Sequence, residues 1–81
     1  MPTPIHVPNL QCDEPVRVGC WLVDDGEEVQ QGDRVVELVM PGMTFDVAAP
    51  ISGCISSQEL QRNHPVQMGD ILGWIETEPV I

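Results

Sequence analysis

The stretch "VVELVMPGMTFDVAAPISG", Val35 to Gly53, reads as a strand, a tight turn and a returning strand. The turn is Met40-Pro41-Gly42-Met43. Proline at its second position is already fixed near the required φ, and glycine at its third reaches positive φ without steric cost. That is the pattern of a type II turn. Phe45 and Val47 share one face of the returning strand, as period-two alternation demands. The turn itself carries two thioethers, a proline and a glycine, and no reactive group. A carefully specified hairpin thus stands at the midpoint of an 81-residue chain with nothing obvious to present.

The flanking sequence repeats itself. "EVQQGDRVVELV" (Glu28 to Val39) matches "PVQMGDILGWIE" (Pro65 to Glu76) at an offset of 37 residues, which takes Val29 to Val66. Gln30 then falls on Gln67, Gly32 on Gly69, Asp33 on Asp70, Val35 on Leu72 and Leu38 on Ile75. A shared V-Q-x-G-D followed by apolar residues at matching places indicates two similar halves, about residues 5–40 and 43–77, related by a pseudo-twofold axis. The same shift carries the turn at 40–43 onto residues 77–80.

Strand signals run through the rest of the chain. Ile5 to Val7 starts a strand. Val16 to Val23 forms a longer one, with apolar residues at 16, 18, 20 and 22 and with Trp21 and Val23 on the other face, so a bend or two-sided burial is expected near Gly19. Asp24-Asp25-Gly26, Gly32-Asp33 and Met68-Gly69-Asp70 are turn signals. Arg34 to Val39, Thr44 to Ala48, Gly53 to Ser57 and Ile71 to Glu76 read as strands, with a polar connection running through Asn63. Trp21 and Trp74 are expected in the core. Seven Gly and eight Pro leave little room for helix, while Val and Ile favour strands. The expected fold is all-β: seven or eight short strands in one domain, forming a flattened barrel or sandwich of two small sheets. Each sheet should mix strands from both halves.

Composition narrows the function. Thirteen acids against three arginines give a formal net charge of −10, which argues against nucleic acid and anionic membrane partners. Asp24, Asp25, Glu27, Glu28, Asp33 and Glu37 crowd one region with only Arg34 to offset them, a pattern that suits either solubility or docking onto a basic protein surface. No apolar run approaches the roughly 20 residues of a membrane helix. "MPTPIHVP" lacks the features of a signal peptide, and Cys12, Cys20 and Cys54 match no zinc spacing, so reduced thiols in a cytoplasmic protein are expected. His6 and His64 have no metal-ligating partner nearby in sequence. With no serine paired to a base, no spaced metal cluster and no phosphate-binding glycine loop, no catalytic residue, metal site or cofactor is expected.

The motifs resemble those of the lipoyl/biotinyl carrier domain family, over nearly the whole chain. "IHVPNL" is similar to the I-x-V-P-x-L opening of lipoyl domains in the acyltransferase subunits of 2-oxo-acid dehydrogenase complexes. "CWLVDDGEEVQQGDRVVEL" resembles their W-L-V-x-x-G-D-x-V-x-x-G-D segment, and "DVAAPISGCI" their V-x-S-P-V-x-G-x-V segment. The opening favours the lipoyl branch, although M-P-G-M has a faint likeness to the biotinyl A-M-K-M. Aligned on Ala49-Pro50-Ile51-Ser52-Gly53, the family's E-T-D-K-A hairpin falls on Val39-Met40-Pro41-Gly42-Met43. The resemblance therefore implies that Gly42 stands where the modified lysine belongs, Pro41 where the flanking acid belongs, and Val39 where the earlier Glu belongs. The chain contains no lysine at all.

The resemblance implies a carrier-type domain that cannot hold an amide-linked lipoyl or biotinyl group. Its expected role is a non-catalytic binding or structural module. The expected setting is a 2-oxo-acid dehydrogenase-type or carboxylase-type complex, with Met40 and Met43 as a contact point if the hairpin exposes them. Two alternatives stay open. One is a piece of a transport or efflux adaptor, against which the short Leu60–His64 connection counts. The other is a weak Cu(I) site formed by the two hairpin thioethers.

Overall fold

A computed structural model describes residues 2–11 and 13–77; Cys12 lies outside them, as do residues 78–80 of the segment 77–80 onto which the hairpin turn maps. Eight strands follow in order: β1 (Pro2–His6), β2 (Val16–Trp21), β3 (Glu28–Val29), β4 (Arg34–Met40), β5 (Met43–Ala48), β6 (Gly53–Gln58), β7 (Pro65–Val66) and β8 (Ile71–Glu76). They form two antiparallel four-stranded sheets, ordered β1-β8-β6-β3 and β5-β4-β2-β7. Each sheet draws two strands from either half, as the repeat requires.

The two orders correspond term by term. Adding 37 takes β2 to β6, β3 to β7 and the start of β4 to the start of β8, while β5 stands beside β4 as β1 stands beside β8. The core follows the same rule. Val18 and Ile55, Val29 and Val66, Val35 and Leu72, and Leu38 and Ile75 are all buried at positions 37 apart. Burying each such side chain contributes about 1.5–3 kcal/mol, so the matched pairs supply the principal stabilisation.

The V-Q-x-G-D repeat now has a physical account. The Gln30 N–H donates to Asp33 Oδ2 at 2.9 Å, and the Asp33 N–H donates back to the Gln30 carbonyl at 2.9 Å. In the second copy the corresponding bonds, from Gln67 to Asp70 Oδ2 and from Asp70 to the Gln67 carbonyl, measure 2.8 and 3.0 Å. Gly32 and Gly69 adopt φ of +93° and +89°, a region open to glycine. This aims their N–H groups at the Ala49 and Val7 carbonyls, both at 2.9 Å. The motif is a clasp that ties each turn to a segment from the other half.

The bend expected near Gly19 is present: the β2–β4 register shifts between Val18 and Cys20. An equivalent shift lies between Ile55 and Ser57 in the β6–β8 ladder. Trp21 packs on the core, and its indole N–H donates to the Leu60 carbonyl at 2.9 Å. Its counterpart Gln58 donates its amide to the Val23 carbonyl, also at 2.9 Å. Trp74 differs from expectation. It is half-buried, stands opposite Pro4 and Ser57, and is outside the set packed on the core. The repeat aligns it with Glu37, a position that faces away from the interior, so its strand register and not its hydrophobicity decides its place.

Candidate functional site

The hairpin between β4 and β5 is the candidate site. Its ladder pairs Leu38 with Phe45, Val39 with Thr44 and Met40 with Met43, leaving Pro41-Gly42 as a two-residue loop. Gly42 has φ of +79°, matching the third position of a type II turn. A Cβ built there would meet nothing within 4 Å, so the glycine is required by backbone conformation and not by crowding. A side chain at that residue would point into open space.

The two methionines part company. Met40 is 5% exposed and Met43 is 57% exposed, so the expectation that both present their thioethers, or that both pack, gives way to one of each. The pleat explains the difference only together with the edge. Both residues belong to one cross-strand pair, but β4 lies inside its sheet and β5 is at its edge. Val39 and Phe45 are also partly exposed, making the hairpin apolar along much of its length. For the Cu(I) reading, Met43 is the one hairpin sulfur offered to solvent.

The acidic region leads into β4 at the end of that strand away from the turn. Asp24, Asp25, Glu27, Glu28 and Asp33 are exposed, and Glu37 is half-buried. Two of these acids have structural duties: Glu27 Oε1 accepts the Asp24 N–H at 3.0 Å, and Asp33 holds the clasp. Arg34, which the sequence suggested as their counterweight, instead reaches Asp46 on the neighbouring strand at 3.5 Å. The reason is register: Arg34 pairs with Ala48, and the irregularity before Val36 brings Asp46 within reach. Sequence reading passed over Asp46, and also Arg17 and Arg62, because their neighbourhoods depend on contacts between strands. Among the described residues no helix is long and apolar enough to cross a membrane.

Comparison with known proteins decides the family. The biotin/lipoyl family model, described as "Biotin-requiring enzyme", matches residues 4–75. The chain belongs to this family. Within it, the chain is 30% identical over 56 residues to the dihydrolipoyllysine-residue acetyltransferase component of the acetoin cleaving system of Pseudomonas putida. That match covers 69% of this chain and 15% of the relative, so the chain spans a small part of that protein's length. The fold of this biotin/lipoyl family member is also that of a solved structure, the lipoyl domain of the 2-oxoglutarate dehydrogenase complex from Azotobacter vinelandii. The TM-score is 0.69 at 22% identity, covering 91% of this chain and 99% of that one. The two-sheet architecture inferred from the repeat is thus the family's fold, and the hairpin described above is a feature of a biotin/lipoyl scaffold.

Proposed function

We propose that this biotin/lipoyl family member is a non-catalytic protein-binding module that does not carry an amide-linked lipoyl or biotinyl arm. The observation that supports this reading is Gly42. The residue at the open tip of the β4–β5 hairpin has no side chain, and the sequence offers no lysine ε-amine elsewhere for an amide bond. The scaffold around that tip is intact, so what is retained is a shape and a surface. Exposed Met43 and Phe45, which share one face of β5, would supply the apolar part of a contact, and the surplus of acids would favour a partner with a basic surface. The setting consistent with the acetyltransferase relative is a 2-oxo-acid dehydrogenase-type or carboxylase-type complex, in the cytoplasm.

Incubation with a lipoate ligase and its cofactors, followed by intact-mass spectrometry, tests the reading. The natural chain should gain no mass. The variant Val39→Glu/Pro41→Asp/Gly42→Lys should fold and gain one lipoyl adduct, while Gly42→Lys alone is modified weakly. Pro41 holds the turn near type II, where lysine at the third position costs about 1 kcal/mol, and aspartate frees it to become type I. An adduct on the natural chain would overturn the proposal.

A further inference from the structure

The molecule has three arginines among thirteen acids, and their placement is uneven. Arg34 is spent on Asp46. Among the described residues neither Arg17 nor Arg62 is ion-paired, yet both line one open cleft of about 350 Å³. Its other walls are Val18, Gly19, Cys20, Glu37, Val39 and Asn63.

The fold brings the two residues to one cleft through backbone bonds. Arg17 lies on β2, opposite Val39. Arg62 lies in the connection to β7, which is clamped to β2 by the Val18 N–H donating to the His64 carbonyl at 3.0 Å and the Asn63 N–H donating to the Val18 carbonyl at 2.8 Å. The floor is Gly19, where a Cβ would lie 2.6 Å from Val39 Cγ2 and 3.0 Å from Glu37 Oε1. The hollow therefore persists only with glycine there.

The pseudo-twofold axis provides an internal control. Shifting by 37 residues replaces Arg17 with Cys54, Gly19 with Ser56, Arg62 with Asp25, Asn63 with Gly26 and Glu37 with Trp74. The other sheet is built on the same plan without an arginine pair or a glycine floor, so the architecture does not require either. Two unpaired guanidinium groups in an otherwise acidic protein, around a cleft of small-ligand size, are suited to an oxyanion, which they can meet with paired N–H donors.

We infer that this cleft binds a compact dianion, with Arg17 and Arg62 as its charge partners and the Asn63 side chain as a neutral donor. The overall charge of −10 disfavours long polyanions. The two charges can reside on one phosphate group or on two carboxylates, and separate probes distinguish these sources.

Amide and arginine Nε–Hε signals are followed by NMR at low salt during titration with inorganic phosphate and, separately, with succinate. Saturable shifts are expected at Gly19, Asn63, Arg17 and Arg62, with none at Ser56 and Gly26 in the related position. Tighter binding of phosphate assigns both charges to one group, and tighter binding of succinate assigns them to two. Arg17→Gln and Arg62→Gln should each weaken binding about tenfold, whereas Arg34→Gln changes it less than about twofold. All three side chains are exposed, so the substitutions leave the fold intact. Absence of saturable shifts with both probes, or an equal loss in Arg34→Gln, overturns the inference.

Discussion

Replacing Gly73 with alanine sets a methyl carbon 2.5 Å from the Ser57 carbonyl oxygen and 2.8 Å from Cη2 of the Trp21 ring. Gly73 is buried in β8, paired with Ile5 on one side and Gln58 on the other, so neither neighbouring strand can withdraw cheaply. Overpacking costs about 1–3 kcal/mol, and two obstacles, one of them backbone, place this substitution near 3 kcal/mol. Against a total stability of roughly 4–12 kcal/mol for a chain of this size, that loss is severe. The repeat suggests how part of it is relieved. Trp21 corresponds to Gln58, which keeps the cross-half bond to a main-chain carbonyl with a slimmer side chain. Trp21→Gln alone should cost about 2 kcal/mol of apolar burial while its amide replaces the indole N–H. In the double variant the ring no longer opposes the new methyl, though the Ser57 carbonyl still does. The combined loss should fall about 1 kcal/mol short of the sum. Urea unfolding followed by far-UV circular dichroism measures all four corners of the cycle without relying on tryptophan emission. Additivity to within about 0.3 kcal/mol would refute the steric reasoning, because the ring would then be moving aside freely.

At the hairpin, Gly42→Val should destabilise by about 1–2 kcal/mol, since a β-branched residue is strained at φ of +79°, and Gly42→Asn should cost much less. Equal urea midpoints for the two would rule out a conformational demand at that position. In the clasps, Asp33→Ala and Asp70→Ala should each cost about 1–2 kcal/mol, because each removes an equivalent carboxylate acceptor from a turn N–H. A several-fold difference between those two losses would show that matched geometry does not mean matched energy.

Much of this fold could be read from residues alone, for identifiable reasons. β2, β4 and β8 are marked by Val, Leu and Ile at strand spacing, and the repeat supplied the pairing of halves. β3 and β7 escaped because two residues carry no periodicity; Glu28-Val29 and Pro65-Val66 become strands only because β6 and β2 lie alongside them. β1 extends back to Pro2 because it occupies a sheet edge, where proline's missing donor need not be satisfied. The type II turn was legible from Pro41-Gly42, since proline fixes φ at the second position and glycine alone reaches positive φ freely at the third. The contrast between Met40 and Met43 was not, because depth at a sheet edge depends on what lies across the interior. The arginine cleft was equally hidden, as no local pattern relates residue 17 to residue 62.

The placement of β8 between β1 and β6 has a consequence for how the chain acquires its structure. Pro2 pairs with Glu76, so the outermost ladder closes a loop spanning nearly the whole described chain. Such closure must be met before its contacts return any energy, which places the domain among slow, milliseconds-to-seconds folders and not among helical bundles. Neither half owns a complete sheet. On a ribosome, the sheet containing β1 cannot assemble until Ile71–Glu76 has left the exit tunnel, and the earlier strands wait with their apolar faces uncovered. The domain should therefore fold in one cooperative event once β8 is available, and a chain cut in the loop between β5 and β6 should yield two pieces that fold only when mixed.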